Sequence, residues 1–228
     1  MPRDLICKEI NKIEAFSDLS EESINKICCI ANRKVLKKGE TLFLEKDKMN
    51  QFYAVLSGSV SMYRLSSNGQ KRVFFLLDKG SLVNEVVFDE KPVSVVCEAF
   101  EATVVAEFSK DEFLKIMESD FKLTMNILKS IGHKQRRLYR QLKNTLPIGI
   151  EKRLAAKLWK LSKDHGIKTD EWICIEKGIT ITYLSYMLGT SRETISRSIK
   201  VLTEMDAVKC VSRQLYVKEK VLLSYYRS

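Results

Sequence analysis

A short stretch near the C-terminus, GTSRETISRSIK (residues 189–200), concentrates side chains that can contact nucleic acid. Arginine can donate two hydrogen bonds to guanine O6 and N7, and glutamate can accept one from cytosine N4. At about 100° per residue, a helix places Arg192, Glu193 and Arg197 on one side and the isoleucines on the other. A helix with an ordinary solvated face has the same pattern, so the stretch alone leaves both interpretations open.

The residues on either side of this stretch favour DNA binding. ITITYLSYMLG predicts a helix at about 180–188, and the turn Gly189-Thr190-Ser191 leads into a second helix at 191–204. Ser191 is a good N-cap, which leaves the first amides of the second helix free to face phosphate. Two strands at about 208–217 with Arg213 at their turn predict a wing. The pattern is that of a winged helix-turn-helix.

The basic charge of the chain belongs to its second half. Residues 1–120 contain 17 Lys and Arg against 20 Asp and Glu, whereas residues 121–228 contain 22 against 9. Such an asymmetry indicates a polyanionic partner for the second half, and double-stranded DNA fits it.

Several classes of protein are disfavoured by what the sequence lacks. No apolar run reaches the roughly 18 residues of a membrane span, and the N-terminus MPRDLICKEI does not resemble a signal peptide. We therefore expect a cytoplasmic protein with no membrane partner. Six cysteines without C-x-x-C spacing indicate free thiols. We find no nucleophile elbow, zinc-protease motif, P-loop or dinucleotide fingerprint, and predict that the protein is not an enzyme.

The first half predicts helices followed by a β domain. Apolar spacing over residues 5–31 indicates two helices, the second capped by Ser20. From about 33 to 108, short strips rich in Val, Phe and Tyr alternate with turn residues, and Asn68-Gly69 is a strong hairpin signal. Six to eight short antiparallel strands imply a sandwich or barrel.

Residues 110–143 predict one long helix of about 50 Å with an apolar seam at coiled-coil spacing from Met117 to Leu142. One interpretation is a core helix that packs on its own β domain. A homodimer interface is favoured, because the helix is longer than a domain of this size can cover. Pro147 and Gly149 mark a junction near 144–149. The predicted interface residues are Phe121, Leu128, Ile131, Gln135, Leu138 and Leu142.

Together these features resemble the bacterial CRP/FNR regulators over essentially the whole chain. In the first half the resemblance rests on KKGETLF, FYAVLSGSVSMY, SSNGQKRVFFLLDKGSLVNE and EATVVAEFSKDEF, and in the second on ITITYLSYMLGTSRETISRSIKVL. It implies an α+β fold with an N-terminal antiparallel, jelly-roll-like β-roll, a long dimerisation helix and a C-terminal winged helix-turn-helix. The expected domains are 1–109 (β-roll sensor with N-terminal helices), 110–146 (dimerisation helix and hinge) and 147–228 (DNA-binding domain).

The resemblance also implies roles for individual residues. Arg192, Glu193 and Arg197 match base-reading positions of the catabolite-activator type, whose half-site is TGTGA-like. Thr182 stands where that type often has Gln, which puts one phosphate contact in doubt. Other residues of the winged helix-turn-helix are predicted to contact DNA, mainly its phosphate backbone. They are Ser191, Ser196, Lys200, Thr180, Thr182 and Arg213.

The effector pocket departs from the family pattern. Cyclic-nucleotide binders resemble G-E-(about eight residues)-R-[ST]-A, in which the Glu takes the ribose hydroxyl and the Arg the phosphate. Here Glu85 and Ser94 remain, while Asn84 replaces the Gly and Val93 the Arg. Without that Arg a buried phosphate lacks its bidentate partner. Leu138 and Tyr139 likewise stand where cyclic-AMP binders present Thr and Ser, so cyclic AMP is disfavoured.

Other cofactors find little support in the ligand spacing. Cys7, Cys28, Cys29 and Cys97 do not form the tight cluster of the family's iron–sulfur sensors, and Cys28 continues a buried helix face instead. Haem ligation by His within the roll is excluded, because His133 and His165 lie elsewhere. The cofactor stays open; a small ligand between roll and long helix, a thiol switch or no ligand are the alternatives.

The predicted function is a homodimeric, sequence-specific transcription regulator that binds a pseudo-palindrome and is controlled by a signal other than cyclic AMP at the junction of roll and long helix. RNA polymerase is a further partner that the family resemblance implies. The alternative is a signalling module responsive to a cyclic nucleotide or to redox chemistry (thiol, iron–sulfur or haem), whose C-terminal half is a protein-interaction domain. The sequence decides neither the effector nor activation against repression.

Overall fold

The computed structural model describes residues 3–143 and 148–227. The chain divides into two compact units, one of residues 1–65 and 73–139 and the other of residues 66–72 and 140–228. The predicted hinge falls largely on residues 144–147, which lie outside the described residues. Gly149 is described and precedes the first helix of the second unit.

Four helices belong to the N-terminal part, and the first two are those that the apolar spacing over residues 5–31 predicts. The predicted cap of the second helix is confirmed, because the Ser23 N–H donates to Ser20 Oγ at 3.1 Å. Two short 3₁₀ turns, Glu14–Phe16 and Glu85–Asp89, add to them. The helices are α1 (Arg3–Ile10), α2 (Glu21–Ile30), α3 (Lys110–Ser119) and α4 (Phe121–Lys143).

Eight short strands form two antiparallel sheets, which confirms the expected β-roll. One sheet has the order β1-β8-β3-β6 and the other β2-β7-β4-β5. The Asn68-Gly69 hairpin is confirmed as well: it joins β4 to β5, and Gly69 takes the positive φ of +77° that such a turn needs. The strands are β1 (Asn32–Leu36), β2 (Thr41–Phe43), β3 (Gln51–Ser57), β4 (Ser59–Leu65), β5 (Lys71–Asp78), β6 (Leu82–Val83), β7 (Val96–Ala99) and β8 (Thr103–Ser109).

An aromatic cluster joins the helices to the roll. Phe16, Phe52, Phe108 and Phe113 are all almost fully buried, and the rings of Phe52 and Phe113 meet edge to face at 4.6 Å. Such contacts add to the stability that comes from burying apolar area. The helices therefore rest on a packed core, and α4 is fixed against the roll by Leu123 and Ile127, which belong to the same core.

The prediction of a single long helix over residues 110–143 is wrong. The chain leaves helical geometry at Asp120 (φ −129°, ψ 94°), where α3 ends and α4 begins. Asp120 caps the new helix, because its Oδ1 accepts the Leu123 N–H at 3.0 Å. The coiled-coil spacing runs through this break, so Met117 packs on the core from α3 and only the rest of the seam lies on α4. At 23 residues, α4 is about 35 Å long.

The C-terminal part has the predicted winged helix-turn-helix elements. Its four strands form one antiparallel sheet in the order β11-β12-β10-β9. With the N-terminal roll and α4, they confirm the expected α+β fold. The elements are α5 (Ile150–His165), β9 (Gly166–Thr169), β10 (Trp172–Ile175), α6 (Ile181–Leu188), α7 (Arg192–Glu204), β11 (Val208–Val211), β12 (Gln214–Val217) and α8 (Glu219–Arg227).

Candidate nucleic-acid interface and sensor pocket

The turn between α6 and α7 has the predicted geometry. Gly189 ends α6 in the left-handed conformation (φ +63°), and its N–H donates to the Ser185 carbonyl at 2.8 Å. Ser191 then caps α7, because its Oγ accepts the Thr194 N–H at 3.1 Å. The turn is therefore closed by hydrogen bonds at both of its ends.

The two faces of α7 differ sharply. Its back is fixed in the core: Ile195, Ser198 and Leu202 are 0% exposed. Because the helix repeats every 3.6 residues, burying this side turns the long polar side chains outward. The front of α7 consists of exposed residues that the sequence singled out, namely Arg192, Glu193, Ser196, Arg197 and Lys200.

Helix α5 holds both helices of the motif. Arg153 Nη2 donates to the Leu188 carbonyl at the end of α6 (2.7 Å), and Ser198 Oγ on α7 donates to Glu151 Oε1 (3.3 Å). Leu154 and Leu158 on the same helix are fully buried. Hydrogen bonds and packing thus join the three helices, and support of this kind is what a site that reads base edges requires.

Glu193 is held as a carboxylate acceptor. A hydrogen bond from Ser191 lowers its pKa, and the nearby Arg197 and Arg192 act in the same direction. Glu193 is therefore ionised at neutral pH and accepts hydrogen bonds without donating any. It can pair with an exocyclic amine such as cytosine N4.

The other predicted DNA contacts lie at the edges of the motif. Thr180 caps α6, accepting the Tyr183 N–H at 3.1 Å, and Thr182 is half-buried two residues further along. The wing turn between β11 and β12 uses Ser212 (φ +49°) and Arg213 (φ +66°) in the left-handed region, and both are exposed. The Arg213 side chain is free to reach phosphate.

The sensor pocket is organised around a buried ion pair. The Glu85 side chain is only 3% exposed, and Lys134 Nζ on α4 donates to both of its carboxylate oxygens at 2.6 Å. Ser130 Oγ donates to the same carboxylate at 2.8 Å, and Lys134 also donates to the Leu82 carbonyl. Burial lowers the pKa of Lys134, and the Glu85 carboxylate opposes that shift. Glu85 is already fully engaged within the chain.

The remaining pocket residues fall into two groups. Asn84 is buried in a left-handed conformation (φ +65°) and donates to the Gln51 carbonyl at 2.8 Å, while Val93 is buried in the core. Ser94, Leu138 and Tyr139 lie on the surface instead. Asn84, in the position of the family's Gly, therefore serves the backbone of the roll.

Sequence reasoning missed Lys134 and Ser130 as members of this pocket. The spacing along α4 could have indicated both residues. Lys134 follows the core residue Ile127 by seven positions, and Ser130 follows it by three. Residues at these spacings share one helix face. A lysine on a core-facing stripe needs a buried acid as partner, and Glu85 was the one candidate already identified.

The predicted dimer residues on α4 are mostly exposed apolar side chains. Phe121 is 76% exposed, Leu142 62% and Leu128 54%, and Leu138 is also exposed. Gln135 is exposed and donates to the Tyr139 hydroxyl. Ile131 differs, because it is partly buried and packs against the core of its own unit.

The cysteines and other metal-binding side chains form no cluster in the described part of the chain. Among those residues no group of three or more His, Cys, Asp or Glu is placed to hold a metal ion. All six cysteines are free thiols, and Cys28 is buried as predicted. Burial raises the pKa of Cys28 to about 12, with Cys7 adding to the shift, so its thiol is a poor nucleophile. No helix within residues 3–143 and 148–227 is long and apolar enough to span a membrane.

A β-roll, a long helix and a winged helix-turn-helix define the class of two-domain DNA-binding regulators. Two family profiles match: the cyclic nucleotide-binding domain over residues 33–120 and the Crp-like helix-turn-helix domain over residues 152–224. The chain belongs to the CRP/FNR family of transcription regulators and has a DNA-binding helix-turn-helix domain.

Similar proteins agree with this assignment over nearly the whole chain. The cyclic AMP receptor protein of Thermus thermophilus is 26% identical over 91% of this chain and 94% of its own length. An anaerobic regulatory protein of Pasteurella multocida is 24% identical over 90% of this chain and 76% of its own length. The solved structure of a CooA mutant from Carboxydothermus hydrogenoformans has the same fold, with a TM-score of 0.78 at 19% identity and 95% of both chains covered. The named relatives are regulators rather than enzymes.

Proposed function

We propose that this protein is a homodimeric, sequence-specific regulator whose two α7 helices enter successive major grooves of a pseudo-palindrome with TGTGA-like half-sites. One observation carries the proposal. Arg192, Glu193 and Arg197 project from a helix that is anchored in the core on its other side by Ile195, Ser198 and Leu202. Their spacing matches the base-reading positions of the catabolite-activator type, and Lys200, Thr180, Thr182 and Arg213 surround them as phosphate contacts.

The exposed face of α4 supports the homodimer. Phe121, Leu128 and Leu142 expose large apolar side chains along one side of the helix. Exposed apolar patches of this kind mark interaction sites, and a second copy of α4 offers a matching surface. A dimer would bring two reading helices to half-sites about one turn of DNA apart.

The state of Glu85 supports a signal other than cyclic AMP. Lys134 occupies the carboxylate that would accept a ribose hydroxyl, and the buried Val93 supplies no charge for a phosphate. The signal would act by moving the roll against α4 and so changing the spacing of the reading helices. RNA polymerase is the further partner that the family resemblance implies.

Selection from random-sequence duplexes tests the proposal. Full-length protein is incubated with the duplexes, and the retained molecules are sequenced. We expect an enriched palindrome with TGTGA-like halves. If no sequence is enriched, with or without candidate effectors, the chain is better described as a signalling module whose C-terminal half binds protein. A monomer on analytical ultracentrifugation at selection concentrations would overturn the homodimer.

A further inference from the structure

A basic groove lies on the side of α4 that faces neither the core nor the predicted dimer partner. Its walls are the turn after α1 (residues 12–18), the loop between β5 and β6 (residues 79–82) and α4, and its volume is about 500 Å³. Small-molecule sites commonly occupy 300–1,000 Å³. The pocket residues Asn84, Glu85, Val93 and Ser94 do not line it. Leu82, Ser130 and Lys134 border both the groove and the Glu85 pocket, so the groove adjoins that pocket, and Glu85 itself lies outside the groove lining.

The helix period explains why α4 has a cationic side. Lys122, Lys129, His133 and Arg137 fall within about 80° around the helix axis. Leu123 and Ile127 occupy the neighbouring arc in the core, and the exposed apolar side chains lie on the other side of the basic arc. From Lys129 to Arg137 the helix rises about 12 Å. That length suits a small molecule with several charged groups.

The groove has an excess of positive charge. Two acidic side chains, Glu14 and Asp18, line it. Among the described residues no carboxylate lies within ion-pair distance of Lys79, Lys122 or Lys129. Its cationic side chains are Lys12, Lys79, Lys122, Lys129, Arg137 and Lys134. Lys134 is already paired with Glu85, so the other five carry the excess charge.

Hydrogen bonds hold the walls in place. Asn126 Nδ2 on α4 donates to the Ser17 carbonyl at 3.3 Å, which ties the helix to the turn after α1. Lys134 Nζ donates to the Leu82 carbonyl at 2.6 Å, which ties the helix to the β5–β6 loop. Because both walls are bonded to α4, the groove and its cationic lining are formed before any ligand arrives. A preformed site of this kind loses less conformational entropy when an anion binds.

We propose that this groove binds a small molecule that carries two or more phosphate groups. Lysine and arginine are the common phosphate ligands in proteins. Among its described lining residues the groove has no Phe, Tyr or Trp on which a base could stack. Affinity should therefore rise with the number of phosphates and depend little on the nucleoside. Binding itself does not depend on the regulatory role; an effect on DNA binding would rest on the proposed function.

Calorimetric titration of the full-length protein without DNA tests the proposal. The probes are AMP, pyrophosphate, tripolyphosphate and ATP, at an ionic strength of about 0.1 M, where the Debye length is about 10 Å. We expect tripolyphosphate and ATP to bind with similar affinity, each at least about tenfold more tightly than AMP. A nucleotide preference with ATP far above tripolyphosphate would overturn the phosphate-dominated site, and no heat with any probe would overturn the site altogether.

Matched variants locate the binding. Lys79→Gln with Lys129→Gln removes two charges from opposite walls and should weaken tripolyphosphate binding about 30-fold or more. Lys37→Gln with Lys38→Gln removes the same charge from the exposed turn between β1 and β2, which does not line the groove, and should change affinity less than about twofold. Equal losses in both pairs would show unspecific attraction and contradict the proposal. Circular dichroism checks that both pairs are folded, and duplex DNA binding is measured separately, so failure of either function is distinguishable.

Discussion

The front of α7 and the pocket around Glu85 hold charged side chains in opposite states. On α7, Arg192 and Arg197 are exposed, while the back of the helix takes part in the core. In the pocket, Glu85 is buried and hydrogen-bonded to Lys134 and Ser130. A side chain that reads a partner must be held by its helix yet leave its polar atoms free. By this criterion α7 is ready to bind, whereas Glu85 contributes to the stability of its own domain.

The largest effect on stability should come from breaking the buried ion pair between Glu85 and Lys134. Lys134→Met leaves the Glu85 charge buried without a partner, and we expect the free energy of unfolding to fall by about 3–5 kcal/mol. Adding Glu85→Gln removes the orphaned charge and should restore most of that loss. Urea unfolding followed by circular dichroism measures both. A double variant no more stable than Lys134→Met would mean that Glu85 is not held by this pair.

A core substitution on the back of α7 should act on stability. Leu202 is fully buried, so Leu202→Ala should lower the free energy of unfolding by about 2–5 kcal/mol. Lys200→Ala, on the front of the same helix, should change the free energy of unfolding by less than about 0.5 kcal/mol. Thermal unfolding of the two variants separates the faces. Similar losses for both would contradict the division of α7 into a core face and a reading face.

Removing the Ser191 cap of α7 should lower stability by an intermediate amount. Ser191→Ala removes the acceptor for the Thr194 N–H and should cost about 0.5–2 kcal/mol of stability. Ser191→Asp keeps an acceptor and is the matched control. Both are compared by denaturant unfolding. If Ser191→Ala is as stable as wild type, the turn is held by Gly189 and Arg153 without the cap.

A second carboxylate of the sensor domain, held by hydrogen bonds instead of a cation, should show the smallest effect. A hydrogen bond from Ser23, with further bonds from the Leu123 and Lys122 amides, lowers the pKa of Asp120. The stability that Asp120 contributes is present above the pKa of its carboxyl in the unfolded chain, which is about 4. It is lost as the pH falls through the lower pKa that the carboxyl has in the folded protein. Asp120→Asn keeps a capping side chain and should change stability at pH 7 by less than about 0.5 kcal/mol. Its stability profile below pH 4 should be flatter than that of wild type; an unchanged profile would argue against this role.

Local signals account for much of what the sequence predicts correctly. Ser20 and Ser191 cap helices by contacts within their own turn, and Gly69 and Gly189 take positive φ angles that few other residues accept. Such features are decided by a few neighbouring residues. They suffice to locate the hairpin and the helix-turn-helix, including the side of α7 that stays exposed.

Features that depend on distant partners were harder to predict. The sequence does not predict the break at Asp120, because the apolar spacing continues through it and a single Asp inside such a pattern is only a weak helix stop. The Glu85–Lys134 pair joins residues 49 positions apart, so it depends on how α4 packs on the roll. The basic groove likewise needs three chain segments to come together. Charge counting found the basic second half but not this arrangement.

The reading role of α7 is tested most directly by the affinity of Arg192→Ala for two duplexes, the selected palindrome and the same duplex with its half-sites scrambled. We expect a loss of about 1–3 kcal/mol on the palindrome, relaxed specificity at one guanine and little change on the scrambled duplex. Lys200→Ala, at a proposed phosphate contact, should weaken binding to both duplexes about equally and reduce the salt dependence by about one phosphate. An Arg192→Ala loss that is equal on both duplexes would contradict the assignment of α7 as the helix that reads the sequence.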